Sequence, residues 1–253
     1  MRAQNEDLYR ATFVSRLKKY LKNSLISIFG VCAPPILWRK TSYSQAGEDI
    51  ILGHLFHNKS DGTYIDVGCH HPFRNSNTYL LYKMGWKGIC IDPGPKIERL
   101  FSIWRPKDIF INTAIAEQVG SSRLYVFNDP ALNSLSTEQV ENYNNFQDFK
   151  LVDEVITPTT TLKEIYKTHE SELINLDVLS VDVEGLDLVV LRSNDWVSLR
   201  PKVVVLELRN VNFVNILDDQ CYQFLNSLGY ELYAKTENNL IMLDSSYQFF
   251  SRG

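Results

Sequence analysis

With 253 residues, 44% of them hydrophobic, the chain can bury a full α/β core as one domain, and no second domain is required. The net charge of −4 is uneven, with +6 on residues 1–40 and −10 on residues 41–253, so nucleic acid is not an expected partner of the acidic body. Cys32, Cys69, Cys90 and Cys221 lack metal-ligand or disulfide-framework spacing, which points to reduced thiols and a cytoplasmic setting.

From Leu8 to Phe29 apolar residues recur at helical intervals between Arg10, Arg16, Lys18, Lys19 and Lys22, and Pro34-Pro35 ends the pattern. This predicts a basic amphipathic helical extension over residues 1–40, ahead of a domain over 41–253. Its apolar runs are too short to span a membrane. Residues 1–30 are expected either to cover the domain's own sheet or to make a contact with a second subunit or with the inner face of a membrane. Ser44 and the acids Glu48 and Asp49 then open a helix towards Phe56, whose amino end faces a ligand or uses its acids to answer the helix dipole.

The run Thr63-Tyr64-Ile65-Asp66-Val67-Gly68 reads as a buried strand entering a polar turn with His70, His71 and Pro72. A second strand, Gly88 to Asp92, also ends in an acid, and helical spacing from Ser76 to Met84, closed by Gly85, joins the two. In such a βαβ unit a nucleotide-type cofactor lies across the strand ends, with the acid of the second strand on the ribose diol. Asp92 fits that role. Only Gly68 stands where a dinucleotide fold needs G-x-G-x-x-G, so a cofactor without phosphates fits better. S-adenosylmethionine wants one close backbone approach, one diol-binding acid, and acids to answer its ammonium and sulfonium charges.

Further on, Pro95 to Trp104 predicts a helix and Ile109 to Ile115 a third buried strand, with Ala114 placed to pass an adenine ring. Arg123 to Phe127 is a strand, and Asp129 to Asp153, polar and aperiodic, reads as a lid or substrate loop. Thr161 to His169 is a helix; Val178 to Glu184 is a strand whose alternation places Asp182 and Glu184 on one face. After a helix from Leu186 to Arg192, Lys202 to Glu207 is so rich in β-branched residues that both faces must be buried. A helix from Leu217 to Leu228 and a hairpin of Tyr230 to Lys235 with Leu240 to Leu243 close the chain. The alternation supports a mostly parallel doubly wound sheet, Rossmann-like, with an antiparallel C-terminal strand.

Together the segments S-Q-A-G-E-D (Ser44 to Asp49), Y-I-D-V-G-C-H-H-P-F-R-N-S-N-T-Y (Tyr64 to Tyr79), G-W-K-G-I-C-I-D-P (Gly85 to Pro93), P-A-L-N-S-L-S (Pro130 to Ser136), L-S-V-D-V-E-G-L-D (Leu179 to Asp187) and R-P-K-V-V-V-L-E (Arg200 to Glu207) resemble the FkbM-type S-adenosylmethionine-dependent methyltransferases, in the subset found near polysaccharide genes. Cys69 stands where members of that family often carry Ala. The resemblance implies a class I methyltransferase fold and transfer of a methyl group to a hydroxyl of a sugar or glycan, in polysaccharide or natural-product biosynthesis. The residues expected to bind the cofactor are Gln45, Glu48, Asp66, Gly68, Asp92, Ala114 and Asp182. Those expected in catalysis are His70, Asp182 and Glu207, with His70 as the general base because its ordinary pKa suits neutral pH, and His71 as its competitor. Glu184 either contacts ligand or caps the following helix. Whether a divalent metal assists is left open. Two alternatives stand beside this reading: a metal-dependent glycosyltransferase using Asp182-x-Glu184, and a non-catalytic cofactor-binding module.

Overall fold

Strands follow helices along most of the chain in the computed structural model, which describes residues 39–173, 175–208 and 212–247. The strands are β1 (Thr63–Val67), β2 (Lys87–Ile91), β3 (Ile109–Ile111), β4 (Ala114–Ile115), β5 (Gly120–Phe127), β6 (Leu151–Thr160), β7 (Val178–Val181), β8 (Val203–Glu207), β9 (Tyr230–Lys235) and β10 (Asn239–Asp244). Seven of them form one sheet in the order β3-β2-β1-β7-β8-β10-β9. The pairs among the first five are parallel, and β10 runs antiparallel to both its neighbours. The order reverses outward from β1 and β7, so the chain crosses both faces and the carboxyl ends of those strands meet at one edge.

Alternation along the strands builds two cores. Ile65, Val67, Ile89 and Ile91 point to one face, where Leu162, Ile165, Val190, Leu191, Cys221 and Leu225 of the later helices cover them. Tyr64 and Cys90 point to the other, against Leu52, Leu55, Leu81, Ile97 and Phe101 of the earlier helices. With both faces covered, all five residues of β8 are buried, each apolar one contributing about 1.5–3 kcal/mol relative to exposure. Cys69, Cys90 and Cys221 are free and buried, as their spacing suggests.

Four expectations change. The strand foreseen from Ile109 to Ile115 is broken at Asn112: β3 stays in the main sheet and β4 joins a small sheet, β4-β6-β5. Asn112 turns its Nδ2 back to the carbonyls of Asp92 (2.9 Å) and Gly94 (3.1 Å), which is where the chain leaves the main sheet. The stretch read as a lid is ordered by a 3-10 turn (Pro130–Leu132) and a helix (Thr137–Asn144) capped by Ser136. Phe127, Leu132, Val140 and Tyr143 give it a core of its own. β6 was not foreseen, because Asp153, Glu154 and Pro158 interrupt it and most of its residues are exposed. The last helix starts at Gln220, later than expected, because Asp219 accepts from the N–H groups of Cys221 and Tyr222 and sets its first turn there.

The expected extension over residues 1–40 lies outside the described residues but for its last two. Among the described residues no helix is long and apolar enough to cross a membrane.

Candidate active site

The carboxyl ends of β1, β2 and β7 open on a cavity of about 220 Å³. Six residues singled out from the sequence line it: Gln45, Gly68, His70, Asp92, Ala114 and Asp182. Glu48, Asp66 and Glu207 do not. Glu48 is fully buried and accepts from Thr236 Oγ1 (2.5 Å), Asn239 Nδ2 (3.0 Å) and the N–H of Ala46, tying the helix Glu48–Leu55 to the C-terminal hairpin. Asp66 faces away, accepting from Thr78 Oγ1, with Arg105 Nη1 4.0 Å off. Arg105 is itself buried and held by Asp108 (2.6 Å) and Tyr64 (2.8 Å). These partners of the two acids, Thr236, Asn239 and Ala46 for Glu48 and Thr78 and Arg105 for Asp66, lie outside the cavity lining.

Gly68 is required by geometry. Its φ is +76°, and a Cβ there would stand 1.7 Å from the carbonyl oxygen of Asp182, so β1 and β7 leave no room for a side chain at their tips. The next turn is pinned by Asp92, whose Oδ2 accepts from the N–H of His70 (2.8 Å) and whose Oδ1 accepts from that of Gly94 (2.7 Å). Burial pushes the Asp92 carboxyl up to about 6, against the pull of those two N–H groups.

Of the two histidines, His70 lines the cavity. His71 folds into the turn, its Nδ1 accepting from the N–H groups of Phe73 and Arg74. The base role expected of His70 does not fit its surroundings. Arg74 Nη2 lies 3.0 Å from His70 Nε2, and arginine only donates, so that lone pair is occupied. Burial, then Arg74, lower the imidazole to about 4, which leaves it neutral and a poor proton acceptor at pH 7.

The acids gather on the opposite wall. β7 ends at Val181, so strand alternation does not bring Asp182 and Glu184 together; a tight turn does, with Glu184 at φ +54° and Gly185 at +92°. One oxygen each from Asp182, Glu184 and Glu207 lie within 4.8 Å of one another. Glu184 caps no helix; its carboxylate accepts from the Tyr143 hydroxyl, and its carbonyl from Ser134 Oγ (3.2 Å). Burial, then Glu207, Glu184 and Asp187, raise Asp182 well above the usual carboxylate range, with Glu207 as its hydrogen-bond partner. Burial and Glu207 push Asp187, at the start of the next helix, up to about 8.

Three carboxylates at this spacing suit a hard divalent cation, but Glu184 is engaged by Tyr143 and Asp182 by Glu207. Asp182 and Glu207 are thus paired acid to acid. Among the described residues no lysine or arginine lines the cavity. Ile91, Ala114, Ile115 and Leu124 add apolar surface to the lining.

Tyr143 was missed by sequence reasoning: it stands 41 positions from Glu184 in a polar stretch, and no local pattern marks the pairing. Asn133, Ser134 and Phe149 line the cavity from the same segment; the P-A-L-N-S-L-S motif held two of them without indicating a role. The sequence model described as the methyltransferase FkbM domain matches residues 66–232, about two thirds of the chain. No curated protein matches it.

Proposed function

The chain belongs to the methyltransferase FkbM domain family, and from that premise we propose that it transfers a methyl group from S-adenosylmethionine to a hydroxyl of a sugar or glycan. Membership of a methyltransferase family sets aside the glycosyltransferase alternative. The observation that carries the proposal is the cavity itself, lined by Asp92, by Asp182 and Glu184, and by the apolar Ile91, Ala114, Ile115 and Leu124. That layout suits a ligand with a diol, an aromatic ring and a positively charged end. Gly68 gives the close backbone approach, and Asp92 retains lone pairs for a ribose beside its two N–H partners.

Bound S-adenosylmethionine would supply an electrophilic methyl group on sulfur. The protein has to align an acceptor oxygen with that methyl and take the hydroxyl proton. Asp182 is the group placed for the proton: it lines the cavity, and burial together with the acids around it raises its proton affinity well above the usual carboxylate range. Glu207, its hydrogen-bond partner, and Glu184 stand beside it, and Tyr143 holds Glu184 in place. Asn133 and Asp129 offer polar contacts, and Phe149 an apolar face, on the side open to a sugar.

The test is to incubate the protein with S-adenosylmethionine bearing a deuterated methyl group and a panel of glycosides, and to follow label by mass spectrometry. Label on a sugar oxygen is the expected outcome. Cofactor binding without transfer to any hydroxyl acceptor would favour the non-catalytic module, and turnover abolished by a chelator would assign the acids to a metal instead.

A further inference from the structure

His70 is held from three sides for a task that is not proton abstraction. Its backbone is in the left-handed region at φ +46°, its N–H is bound by Asp92 (2.8 Å), and its Nε2 accepts from Arg74 (3.0 Å). Since the arginine fork has donors only, the ring's hydrogen must sit on Nδ1. That Nδ1 is buried and has no partner among the described residues. A buried donor without an acceptor costs free energy, and it stands on a residue that lines the cavity.

The cavity wall holds Asp92, Asp129, Asp182 and Glu184 and, among the described residues, no lysine or arginine. A cationic sulfonium and ammonium suit such a wall; a carboxylate does not. S-adenosylmethionine carries all three, so its carboxylate needs a donor backed by positive charge. Arg74 provides that charge through the ring: half-exposed, with only a loose 3.7 Å pairing to Asp129, it polarises the imidazole from outside the cavity. We infer that Arg74 is a positioning residue for the cofactor, holding His70 as an Nδ1–H donor for the carboxylate of the S-adenosylmethionine amino-acid tail. This rests on the cofactor reading above and adds the residue pair that recognises one end of it.

The experiment compares S-adenosylmethionine with its decarboxylated analogue by calorimetry on the full chain, and reads the His70 tautomer by nitrogen-15 NMR, assigning the signal with H70Q. In the parent, His70 should be neutral with its hydrogen on Nδ1, and S-adenosylmethionine should bind about tenfold or more tighter than the analogue, the scale of one charge-assisted bond. Arg74→Met should bring the two affinities close together and release the ring to carry its hydrogen on Nε2. Arg74→Lys, still a donor, should keep most of the preference. Equal affinities in the parent, a preference unchanged in Arg74→Met, or an Nε2–H ring in the parent would each overturn the inference alone. If S-adenosylmethionine does not bind at all, the cofactor reading falls with it.

Discussion

Strand β7 lies between two acids, Asp177 buried and Asp182 half-buried, that meet opposite fates. At its amino end Asp177, 1% exposed, receives Lys59 Nζ on both oxygens and Lys202 Nζ on one, all at 2.7 Å, and the N–H of Thr63 at 3.0 Å. At its carboxyl end Asp182 meets Glu184, Glu207 and Asp187 instead. One carboxylate is surrounded by cations and locks the bottoms of β1, β7 and β8 together; the other is surrounded by acids, which together with burial raise its affinity for a proton. Burial alone therefore does not mark a functional acid. The sign of its neighbours does.

The sharpest way to break this contrast is to neutralise each acid in turn. Asp182→Asn should lower turnover by roughly a hundredfold to ten-thousandfold, the scale of a lost general base. Its melting temperature should hold or rise, because a like-charged neighbour is removed from a buried group. A variant with parent turnover would show that the acceptor's proton leaves by another route. Asp177→Ala should do the reverse: stripping the shared partner from two lysines costs about 3–5 kcal/mol of stability, read by denaturant unfolding. The protein that remains folded should turn over at the parent rate. A loss of turnover larger than the loss of folded protein would join the two ends of the strand functionally.

A smaller effect separates the segment over the cavity from the wall beneath it. Tyr143→Phe removes only the hydroxyl given to Glu184, a bond to an acid worth about 1.5–3 kcal/mol. Val140→Ala loosens the same small core without touching Glu184. Turnover should fall about tenfold in the first and stay near the parent in the second. Equal losses would mean that the segment needs only to be packed.

The two ends also differ in how far the sequence showed them. β1, β2, β7 and β8 were legible because strands buried on both faces read as continuous apolar runs, and the acids that close them stand out. Gly68, Asp92 and Asp182 came with those strands. What a residue's partners do was not legible. Asp66 and Asp92 both read as acids at strand ends, yet Asp66 lies inside β1 opposite Cys90, where Thr78 and Arg105, far along the chain, take it into the framework. His70 was placed at the cavity, but only the folded turn shows Arg74 on its lone pair. β6 and Tyr143 were missed because exposed strands and long-range pairs leave no periodic trace.

The finest test concerns Asp92, which shares the functional end with Asp182 but has backbone N–H groups for neighbours instead of acids. Its ordinary pKa of 3.8 rises to about 6 in the folded chain, because burial outweighs the bonds from Gly94 and His70. A raised carboxyl stabilises the cofactor-free fold fully below pH of about 4, and that contribution is lost as pH rises through about 6, some 3 kcal/mol at the scale of 1.36 per pKa unit. Ligand affinity should run the other way, since only the ionised form accepts both bonds of a ribose diol. Between pH 7 and pH 5 the ionised fraction falls about tenfold, and S-adenosylmethionine should bind about tenfold more weakly at the lower pH. Asp92→Asn should bind weakly at both values and lose the slope that this group adds, which separates it from Asp182 and Asp187. Calorimetry at the two pH values on parent and variant checks this: the same slope in both would mean that the titrating group is not Asp92, and that the ribose is held elsewhere.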